Sequence, residues 1–123
     1  MKVENIQFKA KNTISHNWVE GDLIHKNGRI YIRRDKVNLT NIDSSTVCQF
    51  TGLKDLKGNE VWEGSILKDV NTGEKLIVKW SDYLCGFYAK NKTDCVYTGG
   101  NLYKSMSWLI VIGNIFDVQH ECN

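Results

Sequence analysis

The sequence predicts a mainly β fold built from short antiparallel strands. Three observations carry that reading. Apolar and polar residues alternate in short runs that recur at roughly eight- to twelve-residue intervals. The breaks between runs hold glycine and asparagine, residues that tolerate left-handed backbone. Ten glycines are present and proline is absent, so no turn rests on a ring-fixed φ.

Asn5–Lys11 alternates, with Ile6, Phe8 and Ala10 inward. Trp18–His25 reads as a second strand, and Asn27-Gly28 after it is a strong signal for a two-residue hairpin turn. Arg29–Arg33 returns, placing Ile30 and Ile32 on one face and Arg29, Tyr31 and Arg33 on the other. Between Asp35 and Ser45 the isolated Val37, Leu39 and Ile42 fit either a short strand or a helical turn. Val47–Thr51 is extended, Gly52-Leu53 turns the chain, and Asp55–Asn59 forms a tight loop. Ser65–Val70 and Glu74–Trp80 make a hairpin around Asn71-Thr72-Gly73, with Leu76, Val78 and Trp80 inward. Leu84–Lys90 is a further strand. Asp94–Tyr97 pairs back across an Asn91-Lys92 turn, so that Cys85 and Cys95 can face each other. Gly99-Gly100 breaks the pattern. Trp108–Ile112, the most apolar run, reads as a buried strand, and Ile115-Phe116 closes the core.

The organisation expected is one unit over residues 1–123 with two parts. Residues 1–46 form an N-terminal β-hairpin region. Residues 47–123 hold a central glycine-rich motif and a small SH3-like barrel, against which the first part packs. Trp18–Ile24 and Val61–Leu67 share one form, an apolar pair, Glu-Gly, a small polar residue and a second apolar pair. Their glycines lie 43 residues apart. Reused strand-opening chemistry explains this better than duplication.

At 123 residues and 41% hydrophobic, the chain suits one globular domain rather than a disordered segment. No apolar run reaches the roughly 20 residues that span a bilayer. No signal-peptide core follows Met1, so the expected location is the cytoplasm, with no membrane partner. Residues 1–47 hold eight Lys/Arg against five Asp/Glu, and the remainder eight against nine. A net charge of +2 is far from a general nucleic-acid coat. Cysteines stand at 48, 85, 95 and 122, without Cys-x-x-Cys spacing, which favours reduced thiols over a disulfide framework. A metal site would need Cys85, Cys95, Cys122 and His120, the last two in a tail, so none is expected.

Several pieces of this sequence carry a resemblance. Ile6–Lys11 and Trp18–Ile24, then Thr46–Asp55 with Gly58 and Glu63-Gly64-Ser65-Ile66, then Gly86-Phe87-Tyr88 and Val111–Phe116, resemble the landmarks of the YopX family in order. They span nearly the whole chain. Ser65 stands where that family usually has Asp, and the Asn-Pro that often follows its last motif is missing. The resemblance implies a bacteriophage or prophage protein in a bacterial host cell and carries no general biochemical activity with it.

No residue pattern here requires catalysis, a cofactor or a metal. His16, His25 and His120 lie in a loop, a hairpin and a tail, and no phosphate-cradling loop occurs. Asp55 reads as a turn cap. Two binding surfaces compete. Arg29, Tyr31, Arg33, Arg34 and Lys36 offer a basic aromatic strand suited to phosphates and bases, or simply a charged edge strand. The aromatic residues exceed what one small core needs, and the surplus, Tyr83, Tyr88 and Tyr103, suits a protein interface or a homo-oligomer contact. The expectation is a binding protein, its partner itself or a host or phage protein, with nucleic acid as the alternative.

Overall fold

The structure, a computed structural model, describes residues 2–35, 38–93 and 95–117. It is mainly β, with ten strands, one short α-helix and two five-stranded sheets among those residues. The chain divides into two compact units, residues 1–50 and 51–123.

The first unit contains β1 (Phe8–Asn12), β2 (Trp18–Lys26), β3 (Arg29–Arg33) and most of β4 (Leu39–Lys54). Asn27 and Gly28 have φ of 53° and 74°, the left-handed pair that the hairpin signal requires. β1 pairs antiparallel with β2, β2 with β3 and β3 with β4, while β4 also pairs with β1, so the four strands close on themselves. The segment whose residues fit either a strand or a helical turn is therefore strand from Leu39 onward. Closure needs a bend, and the bend is visible. The β1–β4 register shifts between Lys9 and Lys11. There Asp43 accepts from the Ser45 hydroxyl, and the Thr46 hydroxyl accepts the Lys11 N–H at 2.8 Å, in place of ladder bonds. Ala10, Val19, Ile32 and Ile42 fill the interior, with Phe8, Leu23, Ile30 and Val47 against them. Gly21 sits where a β-carbon would strike the Arg33 carbonyl oxygen, so only glycine allows the approach.

The second unit holds the end of β4 and β5 (Glu60–Trp62), which pair around the Asp55–Asn59 loop, then β6 (Ser65–Asp69), β7 (Lys75–Ser81), β8 (Gly86–Lys90) and β9 (Val96–Thr98) as a meander. An α-helix, α1 (Gly99–Ser105), follows, and β10 (Leu109–Asn114) returns beside β6. The sheet order is β10-β6-β7-β8-β9. Among the described residues its edge strands do not hydrogen-bond to each other, so the closed ring lies in the first unit and the SH3-like closure expected here is not seen. Val61, Leu67, Leu76, Val78, Ala89, Leu102, Met106 and Leu109 form the core, with α1 supplying Leu102.

Four local expectations are corrected. Gly52-Leu53 does not turn the chain: both lie within β4, Gly52 with φ 83°, and the reversal comes at Asp55–Asn59. Gly99-Gly100 opens a helix. Trp108–Ile112 is not a buried strand, because β10 is a sheet edge and Ile112 is 43% exposed. Trp80 alternates with Leu76 and Val78 as expected but lies at the strand end, 43% exposed. The two Glu-Gly segments also differ in conformation. Gly21 is mid-strand, whereas Gly64 has φ 88° in the turn before β6, and a β-carbon there would lie 2.8 Å from the Phe116 ring.

Candidate functional site

Exposed apolar surface concentrates in the turn between β7 and β8. Trp80, Tyr83 and Leu84 are 43%, 94% and 48% exposed within five residues. Local chemistry holds the turn in shape. The Trp80 Nε1 donates to Asp82 Oδ1 at 2.8 Å, the Leu84 N–H donates to Ser81 Oγ at 3.1 Å, and Cys85 takes φ 52°. The Trp80 ring meets Phe87 edge-on with centroids 5.1 Å apart. Tyr83 therefore projects almost fully exposed from a turn whose backbone is braced, so less backbone ordering entropy is left to lose when it is covered.

The structure does not gather the three tyrosines on one surface. Tyr83 is in this turn. Tyr88 lies half-buried on β8, opposite Lys79 and Thr98, on the face away from Ala89 and the core. Tyr103 projects from α1, 69% exposed.

Arg29, Tyr31 and Arg33 do share the outward face of β3, and Arg34 is exposed just beyond it. Across the ladder, however, Arg33 pairs with Asp22, next but one to Glu20, while Tyr31 faces Ile24 and Asn41. Charges of both signs therefore share that face. Lys36 lies outside the described residues.

A more uniform cationic surface lies on the second sheet, where the sequence reading placed no site. Ile66 and Ile77 are directly paired, and Lys90 pairs with Ile77 on its other side. With Lys75, Lys79, Asn91 and Lys92 they line a shallow depression of about 330 Å³. Its sequence signal is the alternation Lys75-x-Ile77-x-Lys79. It marks two lysines flanking an isoleucine on the face opposite Leu76 and Val78. Asn91 supports one end: its Nδ2 donates to Glu74 Oε1 at 2.7 Å, and its Oδ1 accepts the Thr93 and Cys95 N–H groups.

The carboxylates serve the fold. Asp55 is buried and accepts four hydrogen bonds, from the Lys57 and Asn59 N–H groups, Asn59 Nδ2 and, at 2.8 Å, the Val111 N–H. Burial pushes its carboxyl up, but these bonds together outweigh burial and hold it below its ordinary value. Asp43 is likewise held low, chiefly by the Ser45 hydroxyl. Tyr97 is pushed up by burial, with Cys95, Glu74 and Asp69 adding to it. Among the described residues no three of His, Cys, Asp and Glu cluster as metal ligands. Cys122 and His120 lie outside those residues. Cys85 and Cys95 are separate thiols that do not face each other, since β8 and β9 pair Lys90 with Val96 and leave Cys85 beyond the far end of β8. No described helix is long and apolar enough to cross a membrane.

Strand order, the central Asp55 loop and the glycine turns thus coincide with the motifs that carry the resemblance. The YopX family profile, described as YopX protein, matches residues 1–119, and the chain belongs to the YopX family. No curated protein matches it.

Proposed function

We propose that this chain is a phage or prophage accessory protein of the bacterial cytoplasm, working by binding a protein rather than by catalysis. The partner is a second copy or a host or phage protein. The β7–β8 turn supports this reading most. Three large apolar side chains, exposed together on a hydrogen-bonded turn, are the kind of surface that protein interfaces cover. The nucleic-acid alternative on β3 is weaker, because Asp22 stands opposite Arg33 and a phosphate-binding strip gains from undiluted positive charge.

Light scattering over a range of concentrations gives the solution mass, and affinity capture from infected-host lysate gives other partners. Tyr83→Ser with Leu84→Ser should lower the mass to that of one chain or release the captured protein. A double variant that keeps both would sink the proposal. So would tight, salt-sensitive nucleic-acid binding abolished by Arg33→Ala with Arg34→Ala.

A further inference from the structure

We infer that the lysine-framed depression on the second sheet is a docking groove for an acidic amphipathic α-helix of a partner protein. It is a second surface, on the face of β7 opposite the one bearing Trp80 and the core residues Leu76 and Val78. Its floor is Ile66 and Ile77, half-buried and directly paired across β6 and β7. Lys90 continues that row on β8. Neighbouring strands lie about 4.8 Å apart, so a segment following the row runs across the strands. Lys75 and Lys79 stand two residues before and after Ile77 on the same strand face. At about 3.4 Å per residue their backbones are roughly 14 Å apart. An α-helix with its side chains is about 10–12 Å across, and it fits between them with one lysine on each flank. Lys90 and Lys92 add positive charge towards one end, where Asn91 is bonded to the single carboxylate of Glu74.

The arrangement selects chemistry as well as shape. An apolar floor between cationic flanks complements a helix with an apolar stripe bordered by Asp and Glu. Lysine stems cover apolar surface while their heads reach a carboxylate, so the flanks serve both needs. Single-stranded nucleic acid is the competing occupant. Tyr88 stands on this face opposite Lys79, but one tyrosine beside a floor of two isoleucines is not the row of aromatic platforms on which successive bases stack.

The probe is a fluorescein-labelled synthetic peptide of about five helical turns, with leucines at i, i+3, i+4 and i+7 and glutamates on the flanks. Fluorescence anisotropy with the full chain should show saturable binding. Lys75→Glu with Lys79→Glu should weaken it roughly tenfold or more, with an unchanged thermal transition. Tyr83→Ser should leave it unchanged, which separates this groove from the turn surface. Three results would overturn the inference. They are no binding of the peptide, equal binding of polyglutamate without leucines, or tighter lysine-dependent binding of an oligothymidylate of about 20 nucleotides. The last would assign the face to nucleic acid.

Discussion

Asp55 shows how much one side chain can carry. Its Oδ1 takes the Lys57 and Asn59 N–H groups, closing the loop between β4 and β5, while Oδ2 takes Asn59 Nδ2 and the Val111 N–H, 56 residues away. The Leu56 N–H meanwhile donates to the Leu109 carbonyl at 3.0 Å. The loop therefore supplies the outer edge of β10 with the partners a further strand would have provided, and that edge is withdrawn from intermolecular pairing. Removing the carboxylate strands several donors at once. Asp55→Ala should cost about 3 kcal/mol by chemical denaturation. The folded protein holds this carboxyl below its ordinary value of 3.8. A group depressed on folding contributes stability above its unfolded pKa and loses it as pH falls through the folded one. Stability should thus decline below about pH 4, and Asp55→Asn should flatten that decline. An acid limb identical in the variant would remove Asp55 from this account. The turn-cap role is legible in the sequence from Asp-x-x-Gly-Asn. The bond to Val111 is not, because no local pattern encodes a partner so distant.

The elements that sequence reasoning locates well are those whose turns have local chemistry. Asn27-Gly28 and Asn71-Thr72-Gly73 each sit between alternating runs, and the strands on either side fall within a residue or two of expectation. The misses share another cause. β4 is long and bends through side-chain bonds of Asp43 and Thr46, so its polar middle looks like a loop. α1 has seven residues and begins with two glycines, too short and too poor in propensity to announce itself. Leu102 is its one buried apolar residue, beside a buried Ser105 and with Met106 just beyond its end. The lysine groove is illegible for a different reason. Alternation shows that Lys75, Ile77 and Lys79 share a face, but only the register across β6, β7 and β8 brings Ile66 and Lys90 beside them. Loss of burial towards a strand end gives the sharpest test at this scale. Leu76 is 1% exposed and Trp80 43%, on the same face of β7. Leu76→Ala should cost about 3 kcal/mol. Trp80→Ala should cost only about 1 kcal/mol, the worth of its edge contact with Phe87 and a partly exposed ring. Equal losses would mean that Trp80 is buried after all.

At the scale of the whole molecule, the thiols report on both units. Cys48 is 1% exposed in the first unit, its Sγ 3.2 Å from the Thr46 carbonyl oxygen. Cys85 and Cys95 are exposed in the second unit. Cys95 is bonded to Asn91, its carbonyl accepting the Asn91 N–H at 3.2 Å. Cys85 precedes β8 at its other end. Extended chain rises about 3.3 Å per residue, so the strand between Cys85 and Asn91 holds the α-carbons of the two cysteines roughly 20 Å apart. A disulfide needs α-carbons within about 7 Å, and no rotamer change closes that gap. Alternation ends β8 correctly at Lys90 but starts it two residues early, since Leu84 and Cys85 belong to the turn, and the Asn91 turn puts Cys95 at the hairpin's tip. Brief alkylation of the native protein, read by peptide mass, should therefore modify Cys85 and Cys95 separately. Cys48 should be spared while β4 keeps its folded surroundings, and its labelling rate should rise with denaturant as they unfold. A cross-linked Cys85–Cys95 peptide in a non-reducing digest would contradict the hairpin register. Cys48 reacting as fast as Cys85 would contradict the burial of its side chain on β4.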